Sequence, residues 1–153
     1  MIRMSKETDY GIILLAHFSR HRKGRMHNAR EVASNNGLPL PMVRKVLKTL
    51  AREGLLVSHR GAKGGYSLMR RGKKISVAEI IRALEGPLAM TECVEAPGEC
   101  RLEATCQLKT AWQRINDTVL QTLSRMTLSD LTDPTPDSPI PFGGSDTGLV
   151  RIQ

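Results

Sequence analysis

Three cysteines crowded into one turn-forming segment constrain this chain more than any other feature. Cys93, Cys100 and Cys106 are the only cysteines among its 153 residues. Pro97 and Gly98 lie between the first two and disfavour a regular helix or strand there. A loop of this kind can fold back and aim three thiolates at one point. The segment therefore predicts a metal or redox site held in a loop.

Positive charge is concentrated in one part of the chain. The formal net charge is +8, yet residues 20–75 hold fifteen Lys or Arg and two acidic residues, whereas residues 76–153 hold six and eleven. A basic block of this kind indicates a polyanionic partner, with a solubilising surface as the alternative. No apolar run approaches the roughly 20 residues that span a bilayer, so we expect no membrane partner. The N-terminus also lacks a secretory pattern, so we expect a cytoplasmic protein whose thiols are reduced.

Hydrophobic periodicity predicts three helices followed by a β-hairpin. The first helix starts after Ser5, the second after Asn28, with Glu31 placed as in a capping box, and the third near Pro39. The third helix carries an apolar stripe at helical spacing, formed by Val43, Val46, Leu47 and Leu50. Two short strands then flank a basic, glycine-rich tip at residues 59–65. This order is typical of a winged helix-turn-helix, in which the third helix is the recognition helix.

A second apolar stripe follows the cysteines and predicts a long helix. Its members recur at spacings of three or four and are Ala111, Trp112, Ile115, Val119, Leu123 and Met126. The small domain offers little surface for this helix, so the same helix of a second copy is the expected partner. We thus predict a mainly α fold with a small β-hairpin: a winged helix-turn-helix (1–75), a short helix with the cysteine loop (76–109), a dimerisation helix (110–132) and a disordered Pro-, Gly- and Ser-rich tail (133–153).

Seven basic side chains are the candidates for contacting double-stranded DNA. They are Arg44, Lys45 and Lys48 on the third helix, Arg30 and Arg52 near it, and Arg60 and Lys63 on the hairpin. The three on the helix suit base edges, Arg30 and Arg52 suit phosphates, and an arginine on a wing suits the narrow minor groove of A/T-rich DNA. Aromatic residues are only 3% of the chain, which argues against an RNA or single-strand platform.

The chemistry of the cysteine loop has several interpretations. Thiolates favour zinc, copper(I) or iron–sulfur clusters, and gaps of six and five residues are looser than those of structural zinc sites. Structural zinc, three unrelated buried thiols and metal-free thiol oxidation stay open. A thiol-redox enzyme is disfavoured because the loop has neither a Cys-x-x-Cys pair nor a histidine, so we expect no enzyme activity. A fourth ligand would come from a nearby Glu or Gln, from Glu7 or Asp9, or from a histidine, although His17 fits a core position and His59 a phosphate contact.

Four segments resemble the Rrf-two family of bacterial regulators, which includes IscR-like and NsrR-like branches. They are Ile2 to Tyr10, the hairpin from Arg60 to Leu68, the turn from Glu85 to Pro87, and the three-cysteine loop. The resemblance covers about residues 1–132 and is greatest to the branch that regulates the SUF iron–sulfur assembly operon. It implies a homodimeric repressor whose affinity for its operator is set by an iron–sulfur cluster on the three cysteines, with a two-iron cluster (2Fe-2S) favoured over a four-iron cluster (4Fe-4S).

One position departs from that family pattern. In the IscR-like branch a histidine three residues after the last cysteine is the fourth cluster ligand, but here that position is Lys109, which cannot ligate as an ammonium. Asp9 matches the acidic ligand that the partner subunit donates in the nitric-oxide-sensing NsrR-like branch. The resemblance therefore implies Asp9 as fourth ligand, leaves the number of irons open, and keeps nitric oxide among the signals.

Overall fold

The computed structural model describes residues 4–21 and 24–132, and the tail predicted for residues 133–153 lies outside the described residues. Within those ranges the protein is mainly helical with one antiparallel hairpin, as predicted. The elements in chain order are α1 (Lys6–Ser19), α2 (Ala29–Asn36), α3 (Leu40–Arg52), β1 (Leu56–His59), β2 (Gly65–Leu68), a 3-10 turn (Gly72–Lys74), α4 (Val77–Glu85), α5 (Glu92–Glu95), α6 (Lys109–Arg125) and α7 (Leu128–Thr132). No helix in the described ranges is both long enough and apolar enough to cross a bilayer.

Side-chain caps begin the first two helices where the sequence indicated. Ser5 Oγ accepts the Thr8 N–H at 3.2 Å, and Asn28 Oδ1 accepts the Glu31 N–H at 2.9 Å. The capping box expected for α2 closes only on the Asn28 side. The Glu31 carboxylate lies 3.0 Å from His27 Nδ1, so a histidine from the preceding segment takes the carboxylate that would have reached back to the cap.

The apolar stripe of α3 lies at the centre of the core. All four predicted residues of the stripe have no exposed surface, and Leu14 of α1 and Val32 of α2 are equally buried against them. Full burial of one such side chain contributes about 1.5–3 kcal/mol. Because this stripe faces inward, the charged residues between its members are presented on the outer face of α3.

The hairpin is anchored to the segment that precedes α2. β1 and β2 pair antiparallel, with Leu56 opposite Leu68 and His59 opposite Gly65. The His27 N–H donates to the Tyr66 carbonyl at 3.0 Å, and the Tyr66 N–H donates to the His27 carbonyl at 2.9 Å. A Cβ on Gly65 would lie 2.6 Å from the His27 carbonyl oxygen, so only glycine permits this close approach.

The helix expected to run to residue 132 is divided in two. α6 ends at Arg125, and Met126 is extended with a ψ of 137°. The Val77 N–H donates to the Met126 carbonyl at 2.8 Å, and the Leu128 N–H donates to the Ile75 carbonyl at 2.8 Å. These bonds bring Leu128 into the core with no exposed surface. Burial of this leucine thus prevails over continuation of the helix, and α7 packs against α1.

Candidate nucleic-acid interface and cysteine loop

All seven basic side chains predicted to contact DNA are exposed. Three of them, Arg30, Arg44 and Lys63, line one open cleft between the start of α2, the outer face of α3 and the tip of the hairpin. The cleft also includes Gly64, whose lack of a side chain leaves the backbone accessible. The fold therefore places cations from the helix-turn-helix pair and from the hairpin on one surface, as binding to a duplex requires.

Two of the seven cations already have carboxylate partners. Lys45 Nζ forms an ion pair with Glu7 of α1, and Arg52 Nε lies 3.0 Å from Oε1 of its neighbour Glu53. The other five form no ion pair with a residue that the structure describes. Exposed pairs of this kind contribute less than about 1 kcal/mol, so a phosphate can displace either carboxylate at small cost.

Glycines shape the tip of the hairpin. Gly61 has a φ of +111°, a conformation that L side chains rarely adopt. A Cβ on Gly64 would lie 2.9 Å from the Gly61 carbonyl oxygen, so this turn also needs glycine at its far end. Arg60, just before this turn, and Lys63, within it, are both exposed. His59, predicted to lie near phosphate, is exposed on β1, with Nε2 3.0 Å from Ser67 Oγ.

The hairpin is connected to α4, which in turn supports α6. Arg70, just beyond β2, donates from Nη2 to Glu79 Oε1 of α4 at 2.9 Å and from Nη1 to the Lys74 carbonyl at 3.2 Å. α6 packs on α4. The buried Asn116 of α6 also accepts the N–H of Met90, in the segment after α4, at 3.2 Å. A continuous series of contacts therefore joins the hairpin to the segment that leads into the cysteines.

The cysteine segment consists mainly of turns, as predicted, apart from one turn of helix, α5, that carries Cys93. Cys93 is 7% exposed, and its Sγ lies 3.3 Å from Thr91 Oγ1. Cys100 and Cys106 are half-buried, and all three thiols are free. Among the described residues, the three sulfurs do not gather into a group close enough to share a metal ion. Their donor chemistry fits an iron–sulfur cluster, but the single chain does not bring them to one point.

Lys109 closes the cysteine loop through an ion pair. Its Nζ lies 2.6 Å from Glu103 Oε1, and Glu103 Oε2 accepts the Gly98 N–H at 2.5 Å. The hydrogen bond to Glu103, with the charge of that carboxylate, raises the pKa of Lys109. Lys109, which stands where the resemblance implies a histidine ligand, is therefore a cation paired with a carboxylate of the loop itself.

Asp9 and the apolar face of α6 are both on the surface of the single chain. Asp9 is exposed in the first turn of α1, which packs chiefly on α3, α4 and α7. On α6, Trp112 is 36% exposed and Ile115 is 43% exposed, whereas Asn116 is the one fully buried residue of that helix. One chain alone thus neither brings Asp9 to the cysteines nor covers the stripe of α6.

The family model for Rrf2, described as an iron-dependent transcriptional regulator, matches residues 4–134. The chain belongs to the Rrf2 family. The protein rrf2 of Nitratidesulfovibrio vulgaris is 27% identical over 130 residues, which cover 85% of this chain and 87% of that protein. This Rrf2 chain is therefore a DNA-binding transcriptional regulator, and not an enzyme, as the sequence predicted.

Two solved structures resemble this Rrf2 chain over most of its length. CymR of B. subtilis, called the global cysteine regulator, has a TM-score of 0.68 and 28% identity, and the match covers 88% of this chain and 99% of CymR. IscR of T. potens has a TM-score of 0.61 and 28% identity, with 85% of each chain covered. These neighbours confirm the winged-helix fold.

A histidine cluster in this Rrf2 chain was not predicted from the sequence. His17, His21 and His27 pack with ring centroids 4.4–4.9 Å apart. Burial, followed by the charges of His27 and His21, lowers the pKa of His17. The spacing of His17 in the last turn of α1 and His21 just after the helix, four residues apart, was a visible signal. The contribution of His27 was not, because it depends on how the segment before α2 packs.

Proposed function

We propose that this protein is a homodimeric regulator, acting in the cytosol, whose affinity for a double-stranded operator is set by an iron–sulfur cluster on Cys93, Cys100 and Cys106. The observation that carries the proposal is the position of three free thiols in one loop, between the α4 helix that Arg70 joins to the hairpin and the exposed face of α6. Such a loop can transmit its state both to the DNA-binding surface and to a second subunit. The family resemblance further suggests that the regulated genes encode SUF iron–sulfur assembly.

The chain supplies most of a cluster site and lacks one ligand. Three thiolates are soft ligands of the kind that hold iron–sulfur clusters. Lys109 is engaged by Glu103, so a fourth ligand must come from elsewhere. We assign that role to Asp9 of the partner subunit, because its carboxylate is exposed on α1. When bound, the cluster would supply a cross-link between subunits that oxidants or nitric oxide can remove. A two-iron cluster is the preferred form, with a four-iron cluster as the alternative.

The DNA-binding surface is proposed to comprise the seven exposed cations. Arg30, Arg44 and Lys63 line its central cleft, with Lys45, Lys48 and Arg52 further along α3 and Arg60 on the hairpin. Pairing of two copies through the apolar face of α6 would present two such surfaces to a palindromic operator. A change in their separation would alter operator affinity without any change in the contacts that each subunit makes.

Anaerobic purification tests the cluster directly. We expect a coloured protein that contains iron and sulfide, and a Cys100→Ser variant that loses both while remaining folded by circular dichroism. Asp9→Ala should weaken retention of the cluster, whereas Asp117→Ala, which removes an exposed carboxylate of α6 that is not a candidate ligand, serves as the matched control. A colourless protein that holds one zinc per chain, or no metal after reconstitution with iron and sulfide, would contradict the sensor and leave the DNA-binding role intact.

A second candidate is metal-free thiol sensing. It is favoured by the half-exposure of Cys100 and Cys106, which leaves both accessible to oxidants, and by the similarity to CymR, which is named as a cysteine regulator. Mass spectrometry under non-reducing conditions separates the two. This mechanism requires a reversible disulfide or mixed disulfide that changes operator affinity in protein free of iron.

A further inference from the structure

We infer that His17, His21 and His27 form a second metal site, separate from the cysteine loop. One ligand nitrogen from each of the three lies within 4.8 Å of the others. Among the described residues this is the only group of three or more potential ligands so arranged. Three imidazoles suit zinc, copper, nickel or ferrous iron, and three protein ligands leave one coordination position free. We assign the site to a divalent first-row cation of this class, for which Zn²⁺ is the probe.

Two of the proposed ligand atoms are buried without a partner. Nε2 of His17 and Nε2 of His27 are enclosed and form no hydrogen bond with any described residue. Buried polar atoms in native proteins almost always have a partner, and each exception calls for an explanation. A metal ion held by these nitrogens would satisfy both at once.

Hydrogen bonds at the other ring nitrogens orient two of the imidazoles for binding. His27 Nδ1 lies 3.0 Å from Glu31 Oε1, and His21 Nδ1 lies 2.7 Å from the His17 carbonyl oxygen. Because the Glu31 carboxylate and the His17 carbonyl can only accept, His27 and His21 each carry their hydrogen on Nδ1 and have the lone pair of Nε2 free. A carboxylate or a backbone carbonyl behind a histidine is the usual second partner of a metal-binding imidazole.

The third imidazole requires one local change. Asn36 Nδ2 lies 3.3 Å from His17 Nδ1 and donates to the Val32 carbonyl at 2.8 Å. Binding through His17 Nε2 puts the hydrogen on Nδ1, so the Asn36 amide must turn its oxygen toward the ring. Because the same Nδ2 makes both contacts, this turn gives up the bond to the Val32 carbonyl in exchange for one from the His17 Nδ1–H to Asn36 Oδ1.

The site lies where α1 meets the DNA-binding elements. His17 and His21 belong to α1 and the residues after it, His27 pairs its backbone with Tyr66 of β2, and Glu31 is on α2. His21 also lines an open cleft with Gly24 and Arg25, through which water or a small anion can reach the fourth position. A bound ion would therefore link α1, α2 and the hairpin, and should hold the hairpin in place for DNA.

Metal titration of the full chain tests this site. Chelator-treated protein is titrated with Zn²⁺ by calorimetry and with Co²⁺ by visible absorption, for the wild type, His21→Gln, Glu31→Gln and His59→Gln. His21 is chosen because it is half-buried and tolerates replacement better than its two buried neighbours, and circular dichroism checks the fold. His59→Gln is the matched control because His59 is the one histidine outside the cluster. The same titrations in a background with all three cysteines changed to serine remove thiolate ligands.

The expected result is one ion per chain that persists in the cysteine-free background. Glu31→Gln should weaken metal binding about 10- to 100-fold, as is usual when the hydrogen-bond partner of a metal-binding histidine is replaced. His21→Gln should weaken it at least as much, and His59→Gln should leave it unchanged. Equal affinity in His21→Gln and wild type would overturn the site. So would the absence of binding in the cysteine-free background, which would assign the metal to the thiols.

Discussion

Lys45 on the outer face of α3 and Glu7 in the first turn of α1 form an ion pair between the two helices. The lysine side chain is 62% exposed and the glutamate 33% exposed, so the pair lies on the surface that we propose faces DNA. An exposed pair of this type is weak and is screened by salt. One of the cations proposed to contact DNA is therefore partly neutralised in the free protein, and under this proposal it becomes fully available only when a phosphate replaces Glu7.

Removing that carboxylate should strengthen binding to DNA. In Glu7→Gln, Lys45 no longer gives up a carboxylate partner when it binds phosphate, so the slope of log affinity against log salt should steepen by up to about one ion. Lys48→Gln removes a cation and should make the slope shallower by about one ion. Fluorescence anisotropy with a duplex across a range of salt concentrations measures both slopes. Asp117→Asn, which changes the net charge equally but lies on α6, is the control. A Glu7→Gln slope equal to that of the control would show that Lys45 does not contact phosphate.

Gly65→Ala should detach the hairpin from the segment before α2. The new Cβ would lie 2.6 Å from the His27 carbonyl oxygen, and overpacking of this kind costs about 1–3 kcal/mol. Urea unfolding measures the loss of stability, with Ser58→Ala on the exposed side of β1 as the control. Unaltered stability in Gly65→Ala would mean that the two backbones can separate freely.

Some of this architecture was accessible from the sequence because local signals and tertiary packing agree. The stripe Val43, Val46, Leu47 and Leu50 is buried as predicted, and Ser5 and Asn28 cap their helices. The prediction went wrong where a distant partner decides the outcome. Nothing around Met126 resembles a helix stop, yet pairing with Val77 extends the backbone there. Likewise, His27 joins the histidine cluster only because Tyr66 holds its backbone, a contact between residues 39 positions apart.

Arg60→Ala should weaken binding to the cognate operator by about 1–3 kcal/mol if this arginine reads a preferred base step. The argument rests on its exposure beside the glycine turn at Gly61. A gel-shift series on the cognate operator and on a scrambled duplex separates sequence reading from simple charge, with Arg82→Ala on α4 as the charge-matched control. Equal losses on both duplexes would reduce Arg60 to a phosphate contact.

Glu85 should make the protein less stable in acid. Hydrogen bonds from the Thr8 hydroxyl and from Ser5 lower the pKa of this carboxyl from its usual 4.5. The folded state therefore binds a proton at Glu85 less readily than the unfolded state does. The contribution of Glu85 to the free energy of unfolding is fully present above pH 4.5, and it is lost as the pH falls through the lower pKa that Glu85 has in the folded protein. Urea unfolding from pH 7 downward should show a smaller acid-dependent loss in Glu85→Gln than in wild type. Identical pH profiles would contradict a stabilising role for these bonds.

Ile115→Arg should separate the subunits. The side chain is 43% exposed in the single chain, so the substitution leaves the fold intact and puts a charge in the centre of the proposed α6 interface, where an unpaired charge is costly. Light scattering after size exclusion gives the mass of each species, and Gln121→Arg, on a different side of α6, is the control. A monomeric wild type, or a dimeric Ile115→Arg protein, would require another interface.

The burial of Leu128 has a consequence for synthesis of the protein. This residue completes a core whose other members lie between residues 14 and 80. A chain emerging from the ribosome therefore exposes an unfinished apolar surface on α1 until residues near its far end have been made, since distant contacts cannot form earlier. The helix-turn-helix pair and the hairpin are complete in sequence by Leu68, but they reach their final packing only after the cysteine loop has also left the ribosome. Under the proposed function, newly made regulator thus meets its operator only after the cysteine loop is available to receive its cluster.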